Sequence, residues 1–158
     1  MIGSLMYLTN TRLDICFSVN TLSQFLTDPR NVHLIVVKHI LRYLKGTVDY
    51  GLKYDANQKI NLEGYVYSDW AGSAIDMKST SGCCFSMGSG VISWFSKKKS
   101  CVALSKAEAD YVAACSASCE AVWLRKILSD IFDLQWDATC IHCDKQSCVK
   151  LSGESSVS

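Results

Sequence analysis

The sequence predicts an α/β fold, a mixed sheet covered by helices and preceded by a small helical segment. Three observations carry that expectation. Apolar residues recur at helical spacing through residues 1–47, alternate in strand fashion from Tyr50 to about Leu104, and return to helical spacing behind Ser105. Strands bracketed by helices pack most simply as a sheet with helices laid against it.

Taken in order, Ile15, Val19, Leu22 and Phe25 or Leu26 form a first helical stripe. Asp28 is placed to cap the next helix with Pro29, the single proline, at its first position. Leu34, Val37, Ile40, Leu41 and Leu44 then continue to Gly46, where the helix is expected to end. Strands are expected at Gly51–Tyr54, Leu62–Ser68, Gly82–Met87 and Val91–Ser96, with Gly88-Ser89-Gly90 as a hairpin turn. Ser105 followed three residues later by Glu108 is a capping box. Behind it Tyr111, Ala114, Ala121, Leu124, Leu128 and Ile131 mark one face of a long helix. Thr139–Cys143 reads as a short strand, 145–151 as a helical turn or two, and Gly153–Ser158 as an unstructured end.

Composition narrows the class. With 158 residues, 49% of them hydrophobic, the chain can bury a core. Lys and Arg number 16 against 15 Asp and Glu, so any contact with nucleic acid must be local rather than a global charge effect. Nine cysteines without a leader of the secretory kind read as reduced and intracellular. The longest apolar stretches, such as Leu34 to Val37, are too short to span a bilayer, and no membrane partner is expected.

Three short motifs carry candidate chemistry: Ser68-Asp69-Trp70-Ala71-Gly72, Ala103-Leu104-Ser105-Lys106-Ala107-Glu108-Ala109, and Cys143-Asp144-Lys145-Gln146-Ser147. Each sets a carboxylate at a strand end or helix start. Acids brought together from such positions hold divalent ions for phosphodiester chemistry. Each also has a plainer reading: Asp69 as a solvated turn residue, Glu108 as the capping-box acid, Asp144 as a helix cap. Lys97, Lys98 and Lys99 follow Trp94 and Phe95, a basic cluster with aromatic neighbours suited to nucleic-acid phosphates or simply to a solvated hairpin end. Cys140 and Cys143 stand three apart in a strand, on opposite faces, which is poor geometry for a metal. His33 and His39 read as structural or surface residues.

Beyond these motifs the stretch from about Leu62 to Leu151 resembles the ribonuclease H domain of Pol polyproteins from copia-type long-terminal-repeat retrotransposons. The resemblance rests on Gly64-Tyr65, the Asp69 motif, Lys78-Ser79-Thr80-Ser81-Gly82, Ile92-Ser93-Trp94, Ser96-Lys97-Lys98, Val102-Ala103-Leu104-Ser105, Ala107-Glu108-Ala109, Glu120 through Arg125, and Cys143-Asp144. The first part is similar to the end of a reverse transcriptase and its connection, through Gly3-Ser4-Leu5, Tyr7-Leu8, Thr11-Arg12, Asp14-Ile15 and Leu41 through Thr47.

The resemblance implies a division into 1–55 (the reverse-transcriptase end and connection), 56–152 (a ribonuclease H-like domain with the C-terminal part of the fold missing) and 153–158 (a disordered end). It implies metal-dependent endonucleolytic cutting of RNA in an RNA/DNA hybrid, with Asp69, Glu108 and Asp144 as catalytic and metal-binding acids. Two Mg2+ or Mn2+ ions, roughly 4 Å apart, would be their cofactors. Trp94, Lys97, Lys98 and Lys99 would contact the hybrid. The rest of a Pol polyprotein would be the ancestral partner, in the cytoplasm within a virus-like particle or in the nucleus. The departures imply a truncated, degenerate copy whose alternative is a catalytically inactive fragment that binds nucleic acid. Tyr67 stands where the family carries its leading Asp, and the fourth acid does not follow. Leu13, Met77, Lys106 and Lys145 replace Pro, Arg, Thr and Asn. Asp69 lies roughly 6 to 7 Å farther along the strand than Tyr67, so it substitutes only if the turn folds it back.

Overall fold

The computed structural model describes residues 1–58, 60–73, 76–133 and 137–143. The helical turn expected at 145–151 and the unstructured end expected at 153–158 lie outside them. The chain divides into two compact units, Met1–Leu52 and Lys53–Ser158.

The first unit is helical: α1 (Ile2–Leu8), a 3-10 turn (Leu13–Ile15), α2 (Cys16–Ser23) and α3 (Asn31–Gly46). Its core joins Leu5, Ile15, Val19, Leu22, Val37 and Ile40. The expected stripes are thus found, but trimmed at their flanks. Leu34, Leu41 and Leu26 are exposed, because a short bundle buries only the centre of each stripe. The start of α3 also differs from expectation. The cap residue is Arg30, two positions after Asp28, and its backbone N–H is accepted by His33 Nδ1 at 3.1 Å. His33 is therefore a capping residue, and its ring stacks on Phe25 at 4.2 Å between centroids.

A polar network closes the same unit. Arg12 donates to both carboxylate oxygens of Asp14, at 3.1 and 2.7 Å, and to the carbonyl and hydroxyl of Thr47, at 3.0 and 2.7 Å. Tyr43 Oη donates to Asp14 at 2.7 Å. The segment before the 3-10 turn is thereby fixed to the C-terminal end of α3, and the Arg12 guanidinium holds the Asp14 carboxyl down at about 2.

The second unit is α/β. Strands β1 (Leu62–Asp69), β2 (Thr80–Met87), β3 (Gly90–Lys98) and β4 (Cys140–Cys143), with α4 (Lys106–Phe132), form a four-stranded sheet in the order β3-β2-β1-β4. β1 runs antiparallel to β2 and parallel to β4, so the sheet is mixed as expected and compatible with a ribonuclease H-like fold. The hairpin is a two-residue loop, Gly88-Ser89, with Gly88 at φ 62°. The strand expected at Gly51–Tyr54 does not form. Tyr54 instead leaves the ladder, lays its ring on Gly90 and donates its Oη to the Val91 carbonyl at 2.7 Å.

One face of the sheet, Leu62, Val66, Cys83 and Phe85, packs on Ala113, Ala117, Ala121, Leu124 and Leu128 of α4. The helix face differs from the expected one at its ends, since Tyr111 and Ile131 are exposed. The alanines explain this. Small side chains let the helix lie close to the sheet, and the large Tyr111 is turned out. Gly64 serves the same packing, since a methyl there would meet Phe85 Cε1 at 2.5 Å.

Candidate functional site

Asp69 is the last residue of β1, paired with Thr80. Its carboxylate lies against Gly72, three residues onward in the turn, so closely that a Cβ at Gly72 would collide with it. The turn between them is built for that geometry. Ala71 sits in the left-handed region at φ 52°, and its N–H donates to Ser79 Oγ at 3.2 Å. Trp70 Nε1 donates to the Ala103 carbonyl at 3.2 Å, which ties the turn to the segment leading into α4. Tyr67 lies two residues earlier on the same strand face, 54% exposed.

Glu108 occupies the first turn of α4. Ser105 Oγ accepts from the Glu108 N–H at 3.1 Å, and Glu108 Oε2 accepts from the Leu104 N–H at 2.6 Å. The carboxylate reaches one residue beyond the cap it was expected to satisfy. It is exposed but held. Two residues on, Asp110 turns inward and is 2% exposed, a buried acid that the spacing argument passed over. Its signal was available, because a helix rotated by two residues exchanges its outer face for its inner one.

Asp144 lies outside the described residues. The described pairing of β1 with β4 ends at Val66 opposite Cys143, one residue before it in sequence. Among the described residues no three His, Cys, Asp or Glu side chains converge to hold a metal ion. Asp69 and Glu108 alone do not make a two-ion centre. On β4, Ile141 and Cys143 pack toward the core while Cys140 is exposed, and His142 stacks on Tyr65 at 4.8 Å. Burial pushes the Cys83 thiol up to about 12, which suits an inert core residue.

The basic stretch separates into distinct roles. The register sets Trp94 opposite Cys84 and Phe95 opposite Cys83, so Trp94 is on the sheet face away from α4 while Phe95 points toward it. Lys98 Nζ pairs with Asp76 at 2.9 Å and donates to Ser73 Oγ at 3.1 Å. Hydrogen bonding from Ser73, then from Lys98, holds the Asp76 carboxyl at about 2. Lys99 Nζ donates to Ser116 Oγ at 2.9 Å. Lys97 is exposed. Phe95, Lys97, Lys98, Lys99, Ser100 and Ser116 line a cavity of about 470 Å3. Ser73, Asp76 and Ser116 were missed because partners distant in sequence leave no periodic trace.

Among the described residues no helix is long and apolar enough to cross a membrane. The chain is similar to the retrovirus-related Pol polyprotein from transposon TNT 1-94 of Nicotiana tabacum, 41% identical over 155 residues, 98% of this chain and 12% of that protein. It is 39% identical over 144 residues to the retrovirus-related Pol polyprotein from transposon RE1 of Arabidopsis thaliana, covering 91% of this chain and 10% of that protein. It thus spans about a tenth of the length of these two relatives. It is also similar to the secreted RxLR effector protein 161 of Plasmopara viticola, 44% identical over 124 residues, 78% of this chain and 87% of that protein. No family model and no solved structure matches the chain.

Proposed function

We propose that this chain is a transposon-derived Pol polyprotein region, a reading supported by its similarity to the retrovirus-related Pol polyproteins of transposons, and that its second unit is a ribonuclease H-like region that binds RNA/DNA hybrids without cutting them. Its ancestral activity is metal-dependent endonucleolytic hydrolysis of the RNA strand during reverse transcription. The first unit is the end of a reverse transcriptase and its connection. Mg2+ or Mn2+ belongs to the ancestral reaction, in which Asp69, Glu108 and Asp144 would be the acids, and no step of this chain's activity is routed through it.

The observation that carries this reading is Tyr67. An exposed phenol stands on β1 where the family's pattern calls for a carboxylate, and the nearest acid along the strand, Asp69, lies against Gly72. A neutral phenol is not a hard oxygen ligand of the kind Mg2+ requires. Hybrid binding asks less of the site. Cations at the end of β3 meet phosphates, and Trp94 offers an aromatic surface.

The test incubates the purified chain with a labelled RNA/DNA hybrid and Mg2+, or Mn2+, beside Glu108→Ala. Binding is expected, with no Glu108-dependent product. RNA fragments made by the unmodified chain and abolished in Glu108→Ala would overturn the non-cutting reading. Absence of binding would overturn the hybrid reading itself.

A further inference from the structure

We propose that the cavity between the end of β3 and the middle of α4 is an oxyanion site that takes a phosphate group, with Lys99 and Lys97 as its cations and Ser116 as a positioning residue. The phosphate is either one of a nucleic-acid backbone, in which case the site deepens and rests on the hybrid-binding reading, or a free phosphate group.

The lysine run does not act as one patch. Lys98 is neutralised by Asp76 at 2.9 Å, and among the described residues neither Lys97 nor Lys99 has a carboxylate within ion-pair distance. Both residues line one cavity of about 470 Å3, a size usual for small-ligand sites. Lys99 is half-buried with no carboxylate partner among the described residues, which is costly for an ammonium, and an anion bound against it removes that cost, with exposed Lys97 adding a second cation at the cavity's rim.

Lys99 is held in place before any ligand arrives. Its backbone N–H donates to the Ser79 carbonyl at 2.8 Å, extending the ladder by one residue. Its ammonium donates to Ser116 Oγ at 2.9 Å, and that hydroxyl donates in turn to the Val112 carbonyl at 2.9 Å. Ser116 thus has its own hydrogen committed and orients the amine, leaving two ammonium hydrogens for a ligand. Burial lowers the Lys99 pKa from its ordinary value, with Lys97 adding to the effect and the thiols of Cys101, Cys115 and Cys83 opposing it. A bound oxyanion would reverse that depression. The next carboxylate along this side of α4, Glu120, accepts from Ser93 Oγ at 2.8 Å. Phe95 completes the wall.

The test is a titration of the 15N-labelled chain with inorganic phosphate against chloride at constant ionic strength. Saturable shifts are expected at the amides of Lys99, Ser100 and Ser116. Lys99→Ala should weaken them by about tenfold or more, the scale of a charged hydrogen bond. Lys99→Arg should keep the site, and Ser116→Ala should weaken it a few-fold while Ser116→Thr restores it. Lys97→Ala, at an exposed position, reads the second cation if Lys99→Ala fails to fold. No saturable shift at these amides, or shifts that neither lysine variant alters, would overturn the proposal. A second arm follows a labelled RNA/DNA hybrid by anisotropy. Displacement of the hybrid by phosphate, with both affinities lowered in Lys99→Ala, identifies the backbone as the source. Phosphate binding lost in Lys99→Ala with hybrid binding untouched identifies a free phosphate group. Phosphate binding without any hybrid binding sinks the hybrid reading and leaves the site standing.

Discussion

In the helical unit, Arg12, Asp14, Tyr43 and Thr47 bond across long stretches of chain, Asp14 and Tyr43 being 29 residues apart and Arg12 and Thr47 35. In the sheet unit, Asp69 and Glu108 are held by the turn and the cap beside them, and Glu108 stays exposed. Both sets belong to motifs that the sequence makes conspicuous. The first set is absorbed into architecture, because a guanidinium satisfies a carboxylate and a helix end at once. The second is restrained locally and still faces solvent. A motif residue is therefore informative about function in proportion to how little of its bonding the fold requires.

The largest expected effects break each core. Phe85→Ala should destabilise the sheet unit by about 3–5 kcal/mol, since Phe85 is fully buried against Gly64 and α4. Leu22→Ala should cost the helical unit about 2–5 kcal/mol. Urea unfolding of each variant checks the pair. A loss under 1 kcal/mol from Phe85→Ala would mean that the sheet does not pack on α4 as described.

The local restraint on the second set comes next. Ser105→Ala should cost about 0.5–2 kcal/mol, because the cap that presents Glu108 loses its acceptor. Hydrogen exchange at the first turn of α4 should quicken in the same variant. Unchanged exchange there would show that Glu108 needs no cap to hold its position.

The smallest effects are electrostatic and set the two units side by side. Asp14 and Asp76 each sit near 2 in the fold against an ordinary 3.8, Asp14 through Arg12 and Asp76 through Ser73 and then Lys98. A carboxyl lowered by folding stabilises the fold above its unfolded value and loses that contribution as pH falls from about 4 toward 2. Carboxyl-carbon NMR should give midpoints near 2 for both. In Arg12→Ala the Asp14 midpoint should move toward 3.8 while that of Asp76 stays. Movement of both would show that the shifts do not have the local causes assigned.

Much of the fold was legible, and for identifiable reasons. Ser105 with Glu108, Gly88-Ser89 and the Leu62, Val66, Cys83, Phe85 alternation are local signals that tertiary structure did not override. Tyr54 was misread because an aromatic that docks on a hairpin and one that lies in a strand look alike in sequence. On α4 the expected face holds at Ala121, Leu124 and Leu128 and fails at Tyr111 and Ile131, because toward its N-terminal end the helix buries the small residues Ala109, Ala113 and Ala117, which carry little hydrophobic signal. Asp28 and Pro29 suggested a helix start that lies instead at Arg30, where the His33 ring rather than the Asp28 carboxylate satisfies the cap. The placement of Asp69 at the end of β1 and of Glu108 in the first turn of α4 was legible from their motifs. The division of Lys97, Lys98 and Lys99 among solvent, Asp76 and Ser116 was not, because it depends on residues distant in sequence from the lysines.

The most direct measurement is equilibrium binding of a labelled RNA/DNA hybrid, followed by anisotropy at fixed salt, against a DNA duplex of the same sequence. The account predicts saturable binding that prefers the hybrid and weakens as salt rises. Equal affinity for both duplexes, or no saturable binding to either, would contradict it.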